Sequence, residues 1–203
     1  MIGRCRYFVG MSRSAQKRTA KELFELGFAH QQVFDQVMME HPDAKPKRLA
    51  EMVRQMPTLF AKERFAQQHL LLLGIILLSS ALRLVHIQFD AGIHWSQGLK
   101  LITLVPIATV LVGYGIYRWN GEVLKWVGIG NLFGGLGFIR HIDDLFTGDI
   151  DPWHISFEVL SLTIGVLAYY LYKQVYPKYR VENDRTGAPV RIMFDPEPAL
   201  QRM

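Results

Sequence analysis

The spacing of apolar and polar positions changes character twice along this chain. Up to residue 67, apolar residues recur at helical intervals among charges. From 68 to 175 they occupy nearly every position, and from 176 onward the chain is polar again. In the first stretch Leu23, Phe24 and Leu26 give a helix over 14–27 its apolar face, with Ser14 as N-cap and Gly27 as the stop. Val33, Phe34, Val37 and Met38 mark a second helix over 30–40. Pro42 and Pro46 bracket a loop, after which Leu49, Met52, Val53 and Met56 face one way and Lys47, Arg48 and Arg54 the other. Pro57 ends that third helix, and residues 58–67 lead into the apolar half.

The apolar half predicts four transmembrane helices, over about 69–87, 99–117, 123–139 and 155–172. The first contains Leu70–Leu82, LLLLGIILLSSAL, apolar on every face. At 1.5 Å per residue it reaches roughly 28 Å, close to the ~30 Å of a hydrocarbon core. Pro106 interrupts the second span, which membrane helices tolerate where neighbours satisfy the freed carbonyl. The third is rich in glycine, and Gly130 and Gly134 form a GxxxG spacing that lets helix backbones approach closely. The fourth closes on Tyr169, Tyr170, Tyr172 and Lys173, an interfacial aromatic belt backed by a cation. The expected fold is therefore all-α: a polytopic membrane protein with a helical module over 1–67, a four-helix bundle over 68–175 and a polar tail over 176–203.

Charge orients this arrangement. The overall hydrophobic fraction of 50% and net charge of +5 conceal a segregation: residues 1–67 carry 12 Lys/Arg against 7 Asp/Glu. The loop 89–98 has a net charge of −1 and the loop 140–154 a net charge of −3, whereas Arg118, Lys125, Lys173, Lys178 and Arg180 flank the opposite side. By the positive-inside rule the protein spans the plasma (inner) membrane with both termini cytoplasmic. The single Cys5 excludes an intrachain disulfide framework, and the few residues after Arg4 and Arg6 are too short for an apolar signal core. Lys47, Arg48 and Arg54 would suit nucleic acid in a helix-turn-helix, but a basic face beside an anionic bilayer explains them more simply, and no nucleic acid is expected. The tail, with Val190–Phe194 between two Pro-containing polar stretches, reads as extended or disordered.

Candidate chemistry collects at the outer ends of the spans. His86, His141 and His154 lie there with Asp144 and Glu158, ligand types that suit a divalent metal such as zinc, manganese or iron. His141, Asp144 and His154 bracket one loop, and His86 with Glu158 would complete the shell; solvated loop polarity is the simpler account. Arg83 and Glu158 share a depth near that end and predict an intramembrane ion pair. No P-loop, nucleophile elbow or dinucleotide fingerprint is present in the sequence. The expectation is a non-enzymatic membrane subunit that docks a partner through its helical module and self-associates, or joins a membrane-protein complex, through its bundle. A membrane enzyme or metal-binding protein using the outer cluster is the first alternative, and a small channel or carrier the second.

Overall fold

A computed structural model describes residues 13–89, 107–137, 152–183 and 189–196. The chain is mostly helical and divides into two compact units. One comprises Met1–Glu63 with Val175–Met203, and the other Arg64–Gln174.

The first unit starts with α1 (Arg13–Glu25), α2 (His30–Glu40) and α3 (Pro46–Arg54). Gly27 ends α1 in the left-handed region at φ 87°, its N–H bonded to the Phe24 carbonyl while the Phe28 N–H reaches Leu23. These two bonds form a Schellman cap, for which glycine has no Cβ penalty. Pro46 occupies the first turn of α3, where its missing N–H would have had no partner. Phe24 from α1, Val33, Phe34 and Val37 from α2, and Leu49, Met52 and Val53 from α3 close into one buried core. The helical periods of the sequence led to these same faces except at Leu26. Its spacing places it on the apolar face of the first helix, but it is 74% exposed, because α1 ends at Glu25 and the Gly27 cap turns the chain away.

The tail completes that core. β1 (Tyr179–Asn183) and β2 (Pro189–Phe194) pair antiparallel, Tyr179 opposite Phe194 and Val181 opposite Ile192. These four residues share one face of the hairpin, and all pack against the helical core, Ile192 fully buried. Gln31 of α2 clamps β2 with both ends of its amide: Oε1 accepts from the Phe194 N–H at 2.9 Å, and Nε2 donates to the Ile192 carbonyl at 3.3 Å. A side-chain amide here stands in for a neighbouring strand.

A short helix, α4 (Leu59–Arg64), is capped by Thr58 Oγ1, which accepts from the Ala61 N–H, and leads to the second unit. That unit holds α5 (Ala66–Phe89), α6 (Ile107–Tyr117), α7 (Gly121–Gly135) and most of α8 (Pro152–Val175). Two helical stretches, Ala66–His86 and Trp153–Val175, are long and apolar enough to cross a membrane, while Ile107–Tyr117 is a shorter apolar helix. The predicted 99–106 and 138–139, at the ends of the second and third spans, lie outside the described residues.

The four helices alternate in direction. Ser80 meets Thr109 and His69 meets Ile116, so α5 and α6 run antiparallel. Gly128 faces Tyr169, Leu132 faces Gly165 and Gly135 faces Leu162, so α7 and α8 do as well. Phe65 meets Tyr170 while His86 meets Trp153, which sets α5 antiparallel to α8.

The α7–α8 seam shows where glycine is needed. A Cβ on Gly165 would lie 2.7 Å from the Leu132 backbone nitrogen, and one on Gly128 would lie 3.0 Å from that of Tyr169. Around Gly130 no described atom lies within 4 Å of the corresponding position, and among the described residues a Cβ on Gly134 would meet the Ser161 hydroxyl, at 3.1 Å. Of the predicted GxxxG pair, then, Gly134 borders the seam and Gly130 faces away from it. Gly128 and Gly135, seven residues apart and so on one stripe, make the close approach to α8.

Candidate functional site

Polar groups inside the apolar unit concentrate on one stripe of α5. Ile76, Ser79, Ser80 and Arg83 follow the i, i+3, i+4, i+7 spacing of a helix face. Together with Thr109 of α6 and Asn131 of α7 they line a cavity of about 300 Å³, whose remaining wall is apolar, chiefly Val112, Val127 and Ile164. The Ser80 and Thr109 hydroxyls lie 2.8 Å apart and join α5 to α6. Asn131 Nδ2 donates to the Val127 carbonyl, and Ser161 of α8 donates to both the backbone and side-chain oxygens of Asn131. Ser79 is 7% exposed and makes no hydrogen bond with any described residue.

Arg83 sets the charge of this wall. Its guanidinium lies over the Phe157 ring, 5.7 Å from the centroid. The expected ion pair with Glu158 is not formed among the described residues. Shared depth did not fix azimuth: Phe157, one residue earlier and about 100° around the helix, occupies the side facing Arg83. The Glu158 carboxylate instead lies by Gly137, 3.0 Å from where a Cβ would sit.

The outer cluster divides in the same manner. His86 is held edge-on between Trp153 and Phe157, at 5.4 and 5.6 Å. His154 and Glu158, four residues apart, lie on another face of α8, with His154 exposed. His141 and Asp144 lie outside the described residues. Among those described, no three His, Cys, Asp or Glu side chains are grouped as metal ligands.

A junction that periodicity did not reveal sits at the opposite end of the bundle. His69 is 4% exposed and its Nε2 lies 2.8 Å from the Ile116 carbonyl. A carbonyl only accepts, so this nitrogen carries the proton. The imidazole stacks on Trp119 at 3.9 Å and 9° between planes. Trp119 itself has φ 52°, and its N–H reaches Ile116 while the Asn120 N–H reaches Gly115. This is the bond pattern that Gly27 makes, adopted by a bulky residue at a cost of ~1–2 kcal/mol. The stack and the bond from His69 hold it there, and Asn120 then caps α7 through the N–H groups of Glu122 and Val123. The sequence signal was Asn-Gly, read as a turn; nothing local pointed to His69.

On the α8 side of the seam, Ser161 and Gly165 form a small-xxx-small spacing, a signal as legible as the GxxxG of α7. Compared with known proteins, the chain matches no family model, no curated protein and no solved structure.

Proposed function

We propose that this chain is an integral protein of the plasma (inner) membrane, crossing it four times with both ends cytoplasmic, and that it works as a non-enzymatic docking and assembly subunit. The observation that carries this reading is the Gln31 clamp, with which both chain ends build one module. A chain whose two ends fold together must leave and return on one side of the bilayer, which requires an even number of crossings. Two helices, α5 and α8, are long and apolar enough to cross, and the alternating directions of α5 to α8 support counting the shorter α6 and α7 as crossings as well. The basic flanks assign that shared side to the cytoplasm.

In this reading the module presents its surface to a protein partner, and the bundle associates with further copies of itself. The α7 stripe of Trp126, Gly130 and Phe133 supports the second part: within this chain the two aromatic residues are 65% and 71% exposed, and no described atom lies within 4 Å of a Cβ on Gly130. Lipid covers such a stripe in a monomer, whereas a second α7 can approach closely at the glycine.

Two measurements test the proposal. In a Cys5→Ser background, single cysteines at positions 14 and 186 label from one side of the membrane, and those at 96 and 147 from the other. Labelling of 14 and 186 from opposite sides overturns the topology. In mild detergent the wild-type mass corresponds to an oligomer or a complex, and Gly130→Trp reduces it to the monomer. A monomeric wild type with no co-purifying protein overturns the assembly role.

A further inference from the structure

We propose that the cavity between α5, α6 and α7 binds an amphiphilic oxyanion: one carboxylate or phosphate carried on an apolar body. The inference does not rest on the docking role, because every residue it uses belongs to the bundle. The space is partly open to the outside of the bundle, and its volume of about 300 Å³ reaches the lower edge of small-ligand sites. The wall has the composition of such a site, mostly apolar with a few convergent polar groups.

Three observations select the ligand's chemistry. Arg83, an exposed residue on the rim of this wall, carries a permanent charge near the end of an apolar helix and has a ring, not a carboxylate, as its described partner. A cation in such surroundings is costly until an anion or water compensates it, and a guanidinium fork matches two oxygens of a carboxylate or phosphate. Ser79 places a hydroxyl with no described partner on the same wall, one helical turn deeper, where it would donate to a third lone pair or to an ester oxygen. Beyond Ser79 the wall is formed by Ile76, Val112, Val127 and Ile164, which accept methylene groups, and by Asn131, whose amide is already bonded to the Val127 carbonyl and the Ser161 hydroxyl. The polar-to-apolar order from Arg83 inward is therefore that of a head followed by a tail. A membrane lipid and a free fatty-acid-like molecule both have this chemistry.

The test uses the full chain, delipidated in a neutral maltoside detergent, with laurate, dodecanol and inorganic phosphate as probes in calorimetric titrations. Laurate binds saturably at one site, and dodecanol and inorganic phosphate each bind at least tenfold more weakly. Arg83→Gln weakens laurate at least tenfold, and Ser79→Ala, which removes only the hydroxyl, weakens it about fivefold. Equal affinity for laurate and dodecanol, or equal laurate affinity in wild type and in a folded Arg83→Gln, overturns the proposal. If Arg83→Gln does not fold, an unchanged laurate affinity in Ser79→Ala overturns it. Native mass spectrometry before delipidation separates the sources. An anionic phospholipid adduct displaced by laurate identifies a bilayer lipid, and laurate binding without any such adduct identifies a free amphiphile. Absence of both laurate binding and adduct overturns the site, while leaving the topology and mass measurements above untouched.

Discussion

A pair of glycine-to-alanine substitutions measures how closely α7 and α8 approach. In a helix interior this change ordinarily stabilises by roughly 0.5–1 kcal/mol, since alanine loses less backbone entropy on folding. At Gly74 of α5 the added methyl meets no described atom within 4 Å, so the whole gain is expected. At Gly165 it would lie 2.7 Å from the Leu132 nitrogen and 3.1 Å from the Asn131 carbonyl carbon. Both are backbone atoms, which cannot rotate away, so the helices must separate. Overpacking of this kind costs ~1–3 kcal/mol and outweighs the entropy gain, leaving a net loss of roughly 1–2 kcal/mol. Separation also stretches the Ser161 bonds to Asn131, which join the same two helices. For a unit of this length about 1 kcal/mol moves the melting temperature by ~4 °C. Thermal unfolding in mild detergent should thus show Gly74→Ala raised by a few degrees and Gly165→Ala lowered by about 4–8 °C. A rise at both positions would mean that the two backbones are not in contact.

Gln31→Ala leaves the Phe194 N–H and Ile192 carbonyl without their clamp, at ~0.5–1.5 kcal/mol each, so hydrogen exchange at the Phe194 amide accelerates at least fivefold; unchanged exchange would show that the clamp is idle. Ile192→Ala, at a fully buried core position, costs more, ~2–5 kcal/mol, and releases the hairpin to proteolysis while α5 to α8 stay helical. Tyr179 donates its hydroxyl to Glu51, and burial first, then that carboxylate, pushes the phenol above its usual 10.0. A raised folded-state pKa means stability that is complete below pH ~10 and is lost as pH rises through the folded value. Melting temperature followed from pH 9 to 11 should accordingly fall more steeply in wild type than in Tyr179→Phe; parallel curves would refute the linkage. His69→Leu removes both the stack on Trp119 and the bond to Ile116, and should shift Trp emission and lower bundle stability by ~1–3 kcal/mol.

What the residues by themselves determined was local. Helical spacing of Val33, Phe34, Val37, Leu49, Met52 and Val53 reports which side of a short helix is buried, because a 3.6-residue period maps directly to a face. Gly27 and Pro46 stop and start helices through their own backbone chemistry, and the apolar run Leu70–Leu82 is a long helix whatever surrounds it. Tertiary structure decided everything that depends on azimuth or on distant chain. Residues apolar on every face give no preferred side, so the uniform hydrophobicity of the bundle could not tell Gly128 and Gly135, against α8, from Gly130, facing away. Equal depth likewise placed Arg83 beside Glu158, until the rotation of α8 turned Phe157 toward the guanidinium instead. The tail was legible as extended chain, but its inward residues Tyr179, Val181, Ile192 and Phe194 acquire meaning only against a core built more than 120 positions earlier. A two-stranded hairpin is marginal alone, and that distant core is the physical reason it forms.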